Sequence, residues 1–84
     1  MRSDSEQVHR FVSRIPRVRK ARGMTQADLA EASGIYRQAI GNIETGMRGL
    51  GLDDAIAICS ALDVGLMEML SPEPMNLSVR VPID

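Results

Sequence analysis

Cysteine, aromatic side chains and long apolar runs are all scarce in this sequence, and each scarcity removes a class of function. A single cysteine, Cys59, rules out an intrachain disulfide and any multi-thiolate zinc site. Phe11 and Tyr36 are the only aromatic residues, too few for the stacking platforms that hold single-stranded nucleic acid. No apolar stretch approaches the roughly 20 residues that cross a bilayer, so no membrane association is expected. The opening MRSDSEQVHR carries acidic residues and no hydrophobic segment; no secretory signal is expected, and the cytoplasm is the expected compartment. The one histidine, His9, has no cysteine or acidic pair at ligand spacing, so neither a metal nor a cofactor is anticipated. Nothing basic accompanies Cys59 to lower its pKa, which makes it a core thiol rather than a nucleophile. Asp53 and Asp54 are adjacent and point to different sides of a helix, where they complement its dipole rather than form an acid/base pair. No glycine run follows a strand as a phosphate loop would require. An enzyme is not expected.

What is present suits one small folded domain. The 84 residues are 44% hydrophobic and 25% charged, with mean hydropathy −0.08, values normal for a globular chain. At this size only about 60–65% of the unfolded surface is buried on folding, so stability is marginal and self-association would help. The net charge of −1 conceals a division: residues 1–50 carry nine Arg/Lys against five Asp/Glu, and residues 51–84 carry one against six. Six of the basic residues fall between Arg10 and Arg22. Such a run fits an anionic partner and fits a solvated helix face equally well.

The body reads as five short helices. The first is expected over Ser13–Arg22, with Ile15 and Val18 inward and Phe11 and Val12 just upstream; Pro16 then falls in its first turn, whereas a longer helix from about Asp4 would kink there, and a break or kink is preferred. Thr25 is the N-cap of the second, with Asp28 three residues on completing a capping box, and Gly34 stops it; Leu29, Ala30 and Ala32 form its inner face. A third begins after Tyr36, buries Ile40 and Ile43 and stops at Gly46. The fourth, Leu52 to Leu62, places Leu52, Ala55, Ile56, Cys59 and Leu62 on one face. The fifth runs from Gly65 to Leu70, and Ser71-Pro72-Glu73-Pro74 ends it. Beyond that, Leu77, Val79 and Val81 alternate with Ser78 and Arg80, a weak strand signal broken by Pro82.

The stretch TQADLAEASGIYRQAIGNIETG, residues 25–46, is the most informative. Two short helices flank the turn Ser33-Gly34-Ile35. Ala30 is small where the second helix crosses close, Gly34 permits a positive φ, and Ile40 fills the angle between helices, with Leu29, Ile35 and Ile43 completing the contacts. Here the sequence resembles the phage repressor and Cro family of helix-turn-helix proteins, often called XRE-like. The resemblance covers residues 10–70, from RIPRVRKARGMTQADLA through SGIYRQAIGNIETG to the short GLMEML helix. It implies an all-α, five-helix lambda-repressor-like fold and a sequence-specific transcriptional regulator, a repressor that occupies a palindromic operator on double-stranded DNA as a homodimer.

By position, Gln26 corresponds to the family's glutamine that bonds a phosphate and braces the recognition helix. Arg37, Gln38 and Asn42 fall where side chains face base edges, and their types suit guanine and adenine. Phosphate contacts are expected from Gln26, Tyr36, Thr45 and Arg48, and from Arg17, Arg19, Lys20 and Arg22. Tyr36 departs from the usual Ser, Thr or Asn cap, Gly41 is an unusual recognition-helix glycine, and Pro16 interrupts a first helix that is normally continuous, leaving Arg10 and Arg14 unplaced.

The domain division is a flexible N-terminus over residues 1–9, the DNA-binding domain over 10–70, and a tail over 71–84. Leu66, Met67, Met69 and Leu70 are expected at the dimer contact, joined by Leu77, Val79 and Val81 if the tail pairs as a strand with its twofold mate; a frayed tail is the alternative. Two functional alternatives share the DNA step: the antitoxin of a toxin–antitoxin pair, with a toxin or other protein partner, and the controller protein of a restriction-modification system.

Overall fold

A computed structural model describes residues 3–75 and residue 77, and these form five helices in chain order: α1 (Ser3–Ala21), α2 (Gln26–Ser33), α3 (Arg37–Thr45), α4 (Leu52–Leu62) and α5 (Leu66–Leu70). The described residues contain no strand. Val79 and Val81 lie outside them, whereas Leu77 is half-buried against the chain's own core.

Of the break or kink expected at Pro16, the break is absent. One helix runs from Ser3 through Pro16 to Ala21, so His9 and the residues before Ser13 belong to it. An interior proline removes an N–H bond and crowds the preceding turn at about 3 kcal/mol. Phe11 and Ile15, both N-terminal to the proline and both buried, each contribute about 1.5–3 kcal/mol through burial, enough to offset it. Val18 continues the same stripe after Pro16, so both halves of α1 pack into one core.

The ends of α2 and α3 follow from local chemistry. Thr25 Oγ1 accepts from the Asp28 N–H at 3.0 Å while Asp28 Oδ2 accepts from the Thr25 N–H at 2.9 Å, a complete capping box. That Thr25 N–H, and secondarily the Thr25 side chain, hold the Asp28 carboxyl below the usual carboxylate range. Gly34 closes α2 at φ +78° and donates to the Ala30 carbonyl; Gly46 closes α3 at φ +81°. Both conformations are left-handed, where a side chain would be strained.

The core consists of Phe11, Ile15 and Val18 of α1, Leu29 of α2, Ile40 and Ile43 of α3, Ala55, Ile58, Cys59 and Leu62 of α4, and Met69 of α5. Burial pushes the Cys59 thiol's pKa up, as its core placement requires. The expected face of α4 is corrected: Ile58 is buried, whereas Leu52 and Ile56 are 70% and 54% exposed. Ala55, Ile58, Cys59 and Leu62 are related by steps of three and four and form one stripe, which Leu52 and Ile56 flank on one side. Ala32 is also exposed rather than inward, leaving Leu29 and the half-buried Ala30 as the inner face of α2.

Most of the α1 basic run is tied to the protein itself. Arg10 Nη1 donates to the Leu70 carbonyl at 2.9 Å, and Arg14 donates to the carbonyls of Glu68 and Glu73 at 2.7 and 2.8 Å. Arg22 donates through Nε to the Leu62 carbonyl and through Nη2 to that of Asp63. These acceptors lie at the carboxyl ends of α4 and α5, where unsatisfied carbonyls and the helix dipole favour a cation. Arg14, buried with its charge intact, is therefore compensated by two carbonyls.

Candidate nucleic-acid interface

Helices α2 and α3 pack against each other across the Gly34 turn, and α2 also rests on α4. Ile40 and Ile43 point into the core, which turns the opposite side of α3 outward. Arg37 and Gln38 are exposed there, while Asn42 is half-buried. Tyr36 makes no capping hydrogen bond through its side chain and is 87% exposed.

The guanidinium of Arg37 is exposed but not loose. Its Nη1 donates to Gln26 Oε1 at 3.0 Å, and Gln26 Nε2 donates to Glu44 Oε1 at 3.0 Å. Glu44 is in turn gripped by Arg19, with Nε to Oε2 at 2.8 Å and Nη2 to Oε1 at 3.1 Å. Both side chains of that ion pair are almost fully buried, and Arg19 Nη1 also donates to the Met24 carbonyl. Three helices are thereby joined through one polar chain that ends at the outer face of α3. Gly41 admits the Gln26 amide: a Cβ there would meet Gln26 Oε1 at 3.6 Å, an ordinary contact.

One expected phosphate contact is corrected by this geometry. Arg19 is 8% exposed and committed to Glu44, so it does not present its charge to an outside anion, whereas the half-buried Arg22 spends Nε and Nη2 on the end of α4. Arg17 and Lys20 are exposed on the same helix and carry the outward charge of the run. Arg48, in the loop after α3, is exposed and pairs with Asp54 at 3.1 Å. Thr45 is exposed, with its hydroxyl donating back to the Gly41 carbonyl. Gln26 uses one of its two Nε2 hydrogens on Glu44. Glu44 itself was missed in the sequence, although its position one residue after Ile43 and four after Ile40 placed it on the inward stripe of α3.

A second outward feature lies away from α3. Met67 is 73% exposed, and Leu66 is exposed beside Val8, Leu50, Leu52 and Leu70 around one shallow apolar depression. Met69, expected on that face, is instead fully buried in the chain's own core. No helix among the described residues is long and apolar enough to cross a membrane, and no acid, cysteine or histidine cluster among them would hold a metal ion.

Comparison with known proteins agrees with this geometry. A helix-turn-helix family model matches residues 17–69. No curated protein sequence matches the chain. Among solved structures, the chain is similar to the restriction-modification controller protein C.AhdI from Aeromonas hydrophila, at 32% identity and a TM-score of 0.69, covering 77% of this chain and 97% of that one. It is also similar to a tyrosine-to-alanine mutant of the restriction-modification controller protein C.Esp1396I, at 34% identity and a TM-score of 0.70, covering 76% of this chain and 87% of that one. The α2–turn–α3 unit, its outward Arg37 and Gln38 and the family match together place this chain in the XRE-like helix-turn-helix family, as a DNA-binding transcription regulator and not an enzyme.

Proposed function

We propose that the chain is a homodimeric regulator of the controller kind, which occupies a palindromic operator and governs transcription of a restriction-modification operon. The observation that carries the DNA-reading part is the guanidinium of Arg37, fixed by Gln26 yet unshielded at the amino end of α3. With one N–H bonded to Gln26, arginine retains enough donors for the O6 and N7 acceptors of guanine. Gln38 and Asn42 offer amides suited to adenine, and Tyr36, Thr45, Arg48, Arg17, Lys20 and the remaining N–H of Gln26 are the phosphate contacts. Similarity across nearly the whole of a controller protein supports the assignment to that kind of operon.

Dimerisation is assigned to the exposed apolar side chains Leu52, Ile56, Leu66 and Met67, which this small chain leaves uncovered. A twofold pair would set two α3 helices about 34 Å apart, in successive major grooves on one face of the duplex. Binding there excludes or positions polymerase by occupancy alone.

Selection of bound sites from a random DNA pool tests the reading. The expected product is a palindrome with half-sites about one helical turn apart, and Arg37→Ala and Gln38→Ala should each lose discrimination at one position of each half-site. Enrichment of no sequence, or unchanged preference in both variants, would refute it. Sedimentation of Met67→Glu tests the dimer face: the variant should be monomeric at concentrations where the parent is dimeric.

A further inference from the structure

The polar chain running inward from Arg37 has a direction that the base-reading assignment alone does not explain. A glutamine amide ordinarily has two orientations of nearly equal shape, related by exchange of its oxygen and nitrogen. Here the neighbours leave one. The Glu44 carboxylate only accepts, so it must meet Gln26 Nε2; the Arg37 guanidinium only donates, so it must meet Gln26 Oε1. Reversing the amide would set oxygen against carboxylate and N–H against guanidinium. Glu44, for its part, cannot turn away, because Arg19 holds both of its oxygens inside the protein.

We propose that Glu44 is a positioning residue for base readout: through the fixed amide of Gln26, the buried Arg19–Glu44 pair sets the aim of Arg37 at its base. The inference rests on Arg37 being a base reader and goes beyond the bracing that the family resemblance implies for Gln26 by giving Glu44, which need not touch DNA, a part in readout. Its physical content is preorganisation. An arginine side chain has many rotamers, and a guanidinium held before DNA arrives loses less freedom when it forms a bidentate contact. The benefit falls on the correct base, whose two acceptors match the preset direction, more than on a wrong base that needs another direction. The relay therefore acts on discrimination more than on overall affinity.

The test is the ratio of dissociation constants for the selected operator and for the same operator altered at the Arg37 base pair. Because both constants come from one preparation, the ratio is insensitive to any fraction that fails to fold. One good bidentate contact discriminates by about 5- to 150-fold, and Arg37→Ala should abolish that factor. Glu44→Gln, which keeps the shape but lets the Gln26 amide turn, and Gln26→Ala, which leaves the Arg19–Glu44 pair intact, should each cut it by roughly tenfold for a site at the upper end of that range. In an Arg37→Ala background neither should alter the ratio further, since coupled positions are not additive. If Arg37→Ala loses discrimination while Glu44→Gln and Gln26→Ala keep it, the relay is refuted and Glu44 is only part of the scaffold, even if Glu44→Gln melts earlier. A further change of the ratio in the double variants refutes it as well, because the effect would then not pass through Arg37. If Arg37→Ala itself keeps discrimination, the base-reading assignment fails, and the relay with it.

Discussion

Replacing Gly41 by alanine should make the protein more stable, and the size of the gain can be worked from its surroundings. Glycine in a helix interior costs about 1 kcal/mol relative to alanine, because the unfolded chain loses more freedom on adopting the helix. Alanine would forfeit this gain only if its methyl group displaced something. The nearest heavy atoms to a Cβ at position 41 are Gln26 Oε1 at 3.6 Å and Gln26 Nε2 at 4.0 Å, so neither the amide nor its bonds to Glu44 and Arg37 must move. The full gain of about 1 kcal/mol is expected, which for a domain of this size raises the melting temperature by about 4–8 °C. Thermal unfolding followed by circular dichroism measures it directly. An unchanged or lowered melting temperature would show that the methyl group strains the α2–α3 contact and that the reasoning about open space is wrong. The same variant reports on DNA: if it melts higher but binds the operator far more weakly, close approach of the duplex to α3 is what requires a glycine there.

The corrected face of α4 makes a paired prediction: Ile58→Ala should cost about 2–5 kcal/mol at any protein concentration, whereas Ile56→Ala should be nearly silent in dilute monomer and lower stability only where dimers form. Denaturant titrations at several concentrations check this, and equal losses at the two positions would contradict the burial pattern. Asp28 supplies a pH dependence. Its carboxyl pKa is lowered in the folded protein by the Thr25 N–H, so its contribution is complete above the ordinary aspartate value of about 3.9 and disappears as pH falls through the lowered one. The melting-temperature gap between parent and Asp28→Ala should therefore be widest near neutrality and narrow in acid; a gap that is constant with pH would count against the capping box as its source.

Where the sequence was legible, short-range chemistry was decisive. Thr25 with Asp28, Gly34 and Gly46 mark helix ends through bonds to residues within five positions, and the spacing of Ile40 and Ile43 needs only the helical period. The misreadings share the opposite property. Pro16 breaks helices locally, but burial of Phe11 and Ile15 by partners far along the chain overrides that tendency. Leu52 and Ile56 are as apolar as Ile58, and only the packing of α1, α2 and α5 on α4 decides which of them is covered. For the arginines, charge patterning reveals the sign but not the destination. Arg19 and Arg22 end on a carboxylate and on main-chain carbonyls, and a carbonyl is present at every residue. The outward pair Arg37 and Gln38 was legible because the family resemblance placed it; Glu44 was not, because its role depends on two neighbours brought from other helices.

The arginine clamps of α1 also make its seating depend on distant parts of the chain. This helix comes before the other four, yet Arg10 takes its acceptor from Leu70 and Arg14 from Glu68 and Glu73, some sixty, fifty-four and fifty-nine residues later. A helix that carries five of the ten Lys and Arg residues therefore completes its hydrogen bonds only when the segment through Glu73 is in place. Removing that segment takes away the carbonyl acceptors of Arg10 and Arg14 and leaves the otherwise buried Arg14 guanidinium without compensation.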